Sequence, residues 1–155
     1  SGIDEDQANE IAARGIAVTP TLRQVELFKD FAAQAGAKYP VYAATMQRMY
    51  DTRVEHFQML LDADILLLQG TDAGGYQEHG SIAGELGLWS RWGASSQAVI
   101  DVSTWVSLRY LGRPGLVEGA DADLLILDDD PRADPLALAR PTSVYIGGEC
   151  AWQRP

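Results

Sequence analysis

Hydrophobic residues recur along the chain at helical spacing, then in short unbroken runs, then at helical spacing again. Ala8, Ile11 and Ala12 stand three and four apart, the spacing of one helix face. Asp4 before them suits an N-cap, and Glu5 and Asp6 suit the positive end of the helix dipole. Gly15 ends that helix, and residues 16–19 (Ile16, Ala17, Val18, Thr19) read as a short buried strand stopped by Pro20. Residues 22–61 are helical in pattern, with breaks near Gly36 and Pro40. Leu27, Phe28 and Phe31 mark one apolar face there, and Met46, Met49, Tyr50, Phe57, Leu60 and Leu61 another. These stripes read as packing surfaces rather than chemistry.

Ile65, Leu66, Leu67 and Leu68 form a continuous apolar run, which predicts a strand buried on both faces. It runs directly into Gln69, Gly70, Thr71, Asp72, Ala73, Gly74 and Gly75. A strand of this kind delivers Asp72 to a glycine-rich turn at its C-terminal end, where parallel α/β folds build their sites. Helices are expected over about 81–92 and 95–111, the second capped by Ser95 or Ser96. A right-handed helical crossover of this length fits between residues 16–19 and 65–68, so those strands should lie parallel. The pattern changes at Gly112, Arg113, Pro114 and Gly115. Beyond it, strand-like runs at 124–127, 143–146 and 149–152 are separated by turn-rich segments, which reads as a small antiparallel β module.

Composition narrows the classes of function. Twelve basic residues stand against 22 acidic ones among 155, a net charge of −10. With no basic cluster, a nucleic-acid backbone would be repelled, and no nucleic-acid partner is expected. The apolar runs are far shorter than the roughly 20 residues that span a bilayer, so no membrane partner is expected either. No basic-then-apolar leader is visible, and the single Cys150 gives no disulfide framework. A cytoplasmic location is the default expectation.

Asp72 is the first candidate for chemistry. A strand-end carboxylate before a glycine-rich loop can ligate a metal or act as a general base; it can equally cap a turn. His79 lies seven residues on, and can bind substrate, shuttle a proton, or cap the helix beginning near Ser81. His56 sits at the edge of an apolar helical face and reads as a packing or surface histidine. The aspartates at 121, 123, 128, 129, 130 and 134 lack the glycine and distal glutamate of a calcium loop and read as solvated turns. A catalytic zinc site takes about three protein ligands plus water. With two histidines, one cysteine and no His-x-His spacing, the chain is not expected to assemble such a site alone.

The run Gly70, Thr71, Asp72, Ala73, Gly74, Gly75 followed by His79 and Gly80 resembles amidohydrolases of the imidazolonepropionase-like group. Supporting stretches follow in family order. Ala13, Arg14, Gly15 and residues 18–22 resemble the join between the sixth and seventh barrel units. Thr104, Trp105 and residues 111–119 resemble the helix and exit turn after the last strand. Residues 122–131 and 141–148 resemble the return into the β-sandwich.

The resemblance implies an α/β fold, the C-terminal part of an amidohydrolase-type (β/α)8 TIM-like barrel (residues 1–113) plus a β-sandwich segment (residues 114–155). It implies a metal-dependent hydrolase of C–N bonds in amides or cyclic amides. Asp72 would ligate a divalent metal, zinc in the first instance, and take the proton of the attacking water, with His79 facing the small-molecule substrate. The family's His-x-His, bridging lysine and later histidines are absent from this sequence. Ligands from outside the chain are therefore required, supplied by a missing N-terminal half or another copy of the chain. The alternative expectation is a non-catalytic α/β module, derived from an amidohydrolase, that binds a small ligand or a partner.

Overall fold

The computed structural model describes residues 2–155. They divide into two compact units, Ser1–Gly93 and Ala94–Pro155.

The first unit opens with α1 (Glu5–Ala13). The Asp4 carboxylate accepts from the Gln7 amide at 2.9 Å, and the Gln7 side chain accepts from the Asp4 amide at 3.0 Å. This reciprocal box satisfies two donors that the first turn would otherwise leave bare. The long helical stretch resolves into α2 (Leu22–Glu26), α3 (Phe28–Ala35), a 3-10 turn (Gly36–Lys38), α4 (Pro40–Asp51) and α5 (Arg53–Asp62). Breaks therefore occur at Leu27 and Thr52 as well as near Gly36 and Pro40. At Thr52 the hydroxyl donates to the Arg48 carbonyl at 3.1 Å, a local bond that competes with helical continuation. α6 (Ile82–Arg91) completes the unit. Its Trp89 meets Phe57 edge-on, with ring centroids 5.1 Å apart, and Phe57, Leu60, Trp89 and Trp92 are buried together with Val25 and Leu22. The stripe on α4 is shallower than its pattern suggests: Met46, Met49 and Tyr50 are only half-buried.

Residues 16–19 and 65–68 are parallel neighbours, as their connection predicts. Val18 pairs with Leu67, the Val18 amide donating to the Leu66 carbonyl and the Leu68 amide to the Val18 carbonyl, both at 2.9 Å. Burial on both faces does not follow. Ile65 and Leu67 are buried, but Leu66 is 37% and Ile16 47% exposed. Residues 65–68 alternate between buried and more exposed positions, the pattern of a strand covered on one face.

The second unit contains α7 (Ser96–Ser103) and α8 (Trp105–Tyr110). Ser95 caps α7, its hydroxyl accepting from the Ala98 amide at 3.1 Å. The single helix expected over 95–111 is interrupted at Thr104 (φ −132°, ψ −106°). There the Ser103 and Thr104 hydroxyls bond back to the Val99 and Ile100 carbonyls. Strands β1 (Leu124–Ile126), β2 (Ser143–Ile146) and β3 (Glu149–Gln153) form an antiparallel sheet in that order. Leu124 faces Tyr145, and Val144 faces Trp152. Gly147 and Gly148, both at positive φ, make the two-residue turn between β2 and β3, a backbone that glycine adopts without strain. α7 packs on the 3-10 turn Pro135–Ala139, so this unit begins well before the composition change near residue 113.

Candidate functional site

The loop leaving the parallel pair carries both leading candidates. Asp72 stands five residues after Leu67 at φ +55°, a left-handed conformation that Asp tolerates better than most residues. Ala73 pairs with Gln77, and the Gly74 amide donates to the Gln77 carbonyl at 3.1 Å, closing the loop on itself. A Cβ placed on Gly74 would lie 3.8 Å from His79 Cε1 and Nε2, so the imidazole stands on the side of Gly74 that a side chain would occupy. One short loop therefore holds Asp72 and His79, and both side chains are exposed. The N-cap of α6 is Ser81, and no side chain hydrogen-bonds the helix start. His79 is not its cap.

Two buried polar atoms flank this loop without a partner among the described residues, Gln69 Nε2 before it and Ser81 Oγ after it. Within the loop, Tyr76 packs on Phe31 of α3, with ring centroids 4.8 Å apart. At the other strand end the chain turns at Thr21, φ +46°. This conformation is unusual for a β-branched residue.

The remaining candidates serve the fold. His56 is half-buried and its Nε2 lies 3.0 Å from the Ile3 carbonyl; burial pushes its pKa below the usual value. In the acidic segment Asp123 pairs with Arg113 at 3.1 Å, Asp130 with Arg132 at 2.7 Å and Asp134 with Arg140 at 2.7 Å, and Asp128 meets Arg154. Arg132 holds the exposed Asp130 carboxyl down to about 2. Cys150 is exposed, its thiol directed to the Trp152 carbonyl. Among the described residues no three His, Cys, Asp or Glu side chains stand close enough to hold a metal ion. No described helix is long and apolar enough to cross a membrane.

Sequence reasoning passed over Glu85. It is fully buried on α6, and its carboxylate accepts three hydrogen bonds. The Leu22 and Arg23 amides each donate at 2.8 Å, and Trp89 Nε1 donates at 3.1 Å. Thr21, the N-cap residue of α2, makes no side-chain cap bond, so Glu85 supplies that cap from another helix. Burial pushes the Glu85 pKa up, against the downward pull of the Arg23 and Leu22 amides. Arg23 Nε in turn donates to the buried Gln77 Oε1 at 3.2 Å. The available signal was a lone carboxylate in an otherwise apolar stretch, Ile82, Leu86, Leu88 and Trp89.

Comparison with solved structures bears on this arrangement. An amidohydrolase crystal structure matches 97% of the chain at 25% identity and a TM-score of 0.74. The likeness is to the amidohydrolase superfamily. A prolidase complexed with N-methylphosphonate-L-proline matches at 22% identity and a TM-score of 0.76. A Xaa-Pro dipeptidase with methionine bound in its active site matches at 19% and 0.80. In each case the amidohydrolase-like chain covers 38% of the solved one, consistent with a C-terminal portion of that fold. By sequence, uncharacterized proteins of Mycobacterium tuberculosis and Mycobacterium bovis are 36% identical over 148 residues. The chain spans 40% of the length of these curated relatives. No family model matches it.

Proposed function

We propose that this chain is the C-terminal part of a metal-dependent hydrolase of amide or cyclic-amide C–N bonds, and that it is incomplete alone. Residues 1–113 would contribute the last strands and helices of a (β/α)8 barrel, and residues 114–155 part of a β-sandwich. Asp72 is the proposed catalytic residue: its carboxylate takes a proton from the attacking water as general base. His79, on the same loop, is proposed to orient the substrate. A divalent cation at Asp72, zinc in the first instance, requires ligands from a complementary N-terminal half or another copy of the chain. The described side chains do not themselves make up a metal site.

One observation carries this reading. The segment paired in parallel with residues 16–19 leads into a left-handed turn at Asp72, the end of a parallel strand at which α/β enzymes place their reacting groups. Amide substrates are favoured by the prolidase and dipeptidase neighbours, which makes dipeptides ending in proline the first panel to assay. The test is Asp72→Asn in the chain combined with its complementary half. Asn keeps the size and one acceptor oxygen but cannot hold a transferred proton. Turnover is expected to fall about 10²–10⁴-fold. Near-normal turnover with full metal content would reduce Asp72 to a turn residue.

A further inference from the structure

Two turns leave the parallel pair, one at Thr21 and one at Asp72, and both hold a non-glycine residue in the left-handed region. A left-handed β-branched residue is strained and persists only where its surroundings over-determine it. What determines the first turn is Glu85, whose two carboxylate oxygens take the amides of Leu22 and Arg23. That grip also fixes the start of the Arg23 side chain. Arg23 Nε donates to Gln77 Oε1, and the Gln77 backbone closes the Asp72 loop through Ala73 and Gly74. Gly84 leaves the space the guanidinium occupies, since a Cβ there would lie 2.1 Å from Arg23 Nη1.

We propose that Glu85, Arg23 and Gln77 form a positioning relay that holds the Asp72 loop in place from the neighbouring turn. None of the three is assigned contact with substrate. They act through the backbone of residues 73–77, and their relevance to catalysis rests on the assignment of Asp72 above. Burial argues for the relay over a surface contact. Glu85 is fully buried and Gln77 is 6% exposed, so a lost partner is not simply replaced by bulk water.

Gly84→Ala separates this role from plain structural support. Alanine is the better helix former, so α6 itself should not weaken, yet the methyl group must displace the Arg23 guanidinium. Amide hydrogen exchange on the 155-residue chain reads the loop directly. Exchange of the Gly74 amide, which donates to the Gln77 carbonyl, should rise about tenfold in Gly84→Ala and in Gln77→Leu, while α1 and the β1–β3 sheet keep their protection. Gln77→Glu retains an acceptor for Arg23 and should restore wild-type protection.

Unchanged loop exchange in Gly84→Ala and Gln77→Leu would overturn the relay. So would a loss in Gln77→Glu as large as that in Gln77→Leu. Failure of the hydrolase reading shows elsewhere, as undiminished turnover in Asp72→Asn, and leaves the exchange result standing.

Discussion

Glu85 Oε1 accepts the amide hydrogen of Leu22 at 2.8 Å across 63 positions of sequence. Its second oxygen takes the next amide, so one carboxylate caps a helix that its own N-cap residue leaves bare. A glutamine at position 85 offers one acceptor oxygen, and its amino group would face a backbone donor. Glu85→Gln should therefore destabilise the chain by about 1–3 kcal/mol, and Glu85→Ala, which orphans both amides and the Trp89 indole, by about 3–5 kcal/mol. Urea unfolding monitored by tryptophan fluorescence measures both. A loss below the error of the method in Glu85→Ala would mean that water caps α2 as well as the carboxylate does.

The same group gives a pH dependence whose sign is fixed by its surroundings. Burial raises the Glu85 pKa above 4.5, outweighing the amides of Arg23 and Leu22, the Trp89 indole and the Arg23 charge, all of which favour the ionised form. A carboxyl raised on folding binds its proton more tightly in the native state. Its contribution is thus fully present below about 4.5 and declines as pH rises through the raised value. The stability difference between the wild-type chain and Glu85→Gln should shrink from pH 4 towards neutrality. A difference that widens instead would show that the donors outweigh desolvation.

Much of this architecture is legible in the sequence where the determinants are local. The spacing of Ala8, Ile11 and Ala12 behind Asp4 marks α1, and the apolar run of residues 65–68, ahead of Gln69 and Gly70, marks the segment that leads to Asp72. The parallel direction follows from the length of the connection. Glu85 was not legible, because the two backbone amides it caps lie on α2 and periodicity treats one polar residue in an apolar helix as noise. The exposure of Leu66 was missed for a related reason. A run of four apolar residues states what a strand can tolerate on each face, but not whether this chain covers both. The break at Thr104 arises from hydroxyls bonding back to carbonyls, which residue type permits but does not require.

Close approach at the two strand ends makes a third prediction. A Cβ on Gly70 would stand 2.6 Å from Thr19 Cγ2, and a β-branched side chain has little rotamer freedom with which to withdraw. Gly70→Ala should cost about 1–3 kcal/mol by forcing the paired segments apart. Thr19→Ser removes the obstructing methyl group, so the double variant should recover most of that loss. An additive double variant would place the strain elsewhere.

The final prediction separates the backbone of Asp72 from its carboxylate. At φ +55° glycine is at no steric disadvantage, although it adds freedom to the unfolded chain, so Asp72→Gly should leave stability within about 1 kcal/mol of wild type. A residue present only to make the turn would then be replaceable by glycine without functional loss. On the hydrolase reading the two properties part: Asp72→Gly should retain the fold and lose turnover as fully as Asp72→Asn does, because neither holds a transferred proton. Circular dichroism melts and steady-state kinetics in the chain joined to its complementary half make the comparison. Turnover preserved in Asp72→Gly would leave the carboxylate without a role, and the left-handed turn would be the only reason for an aspartate at that position.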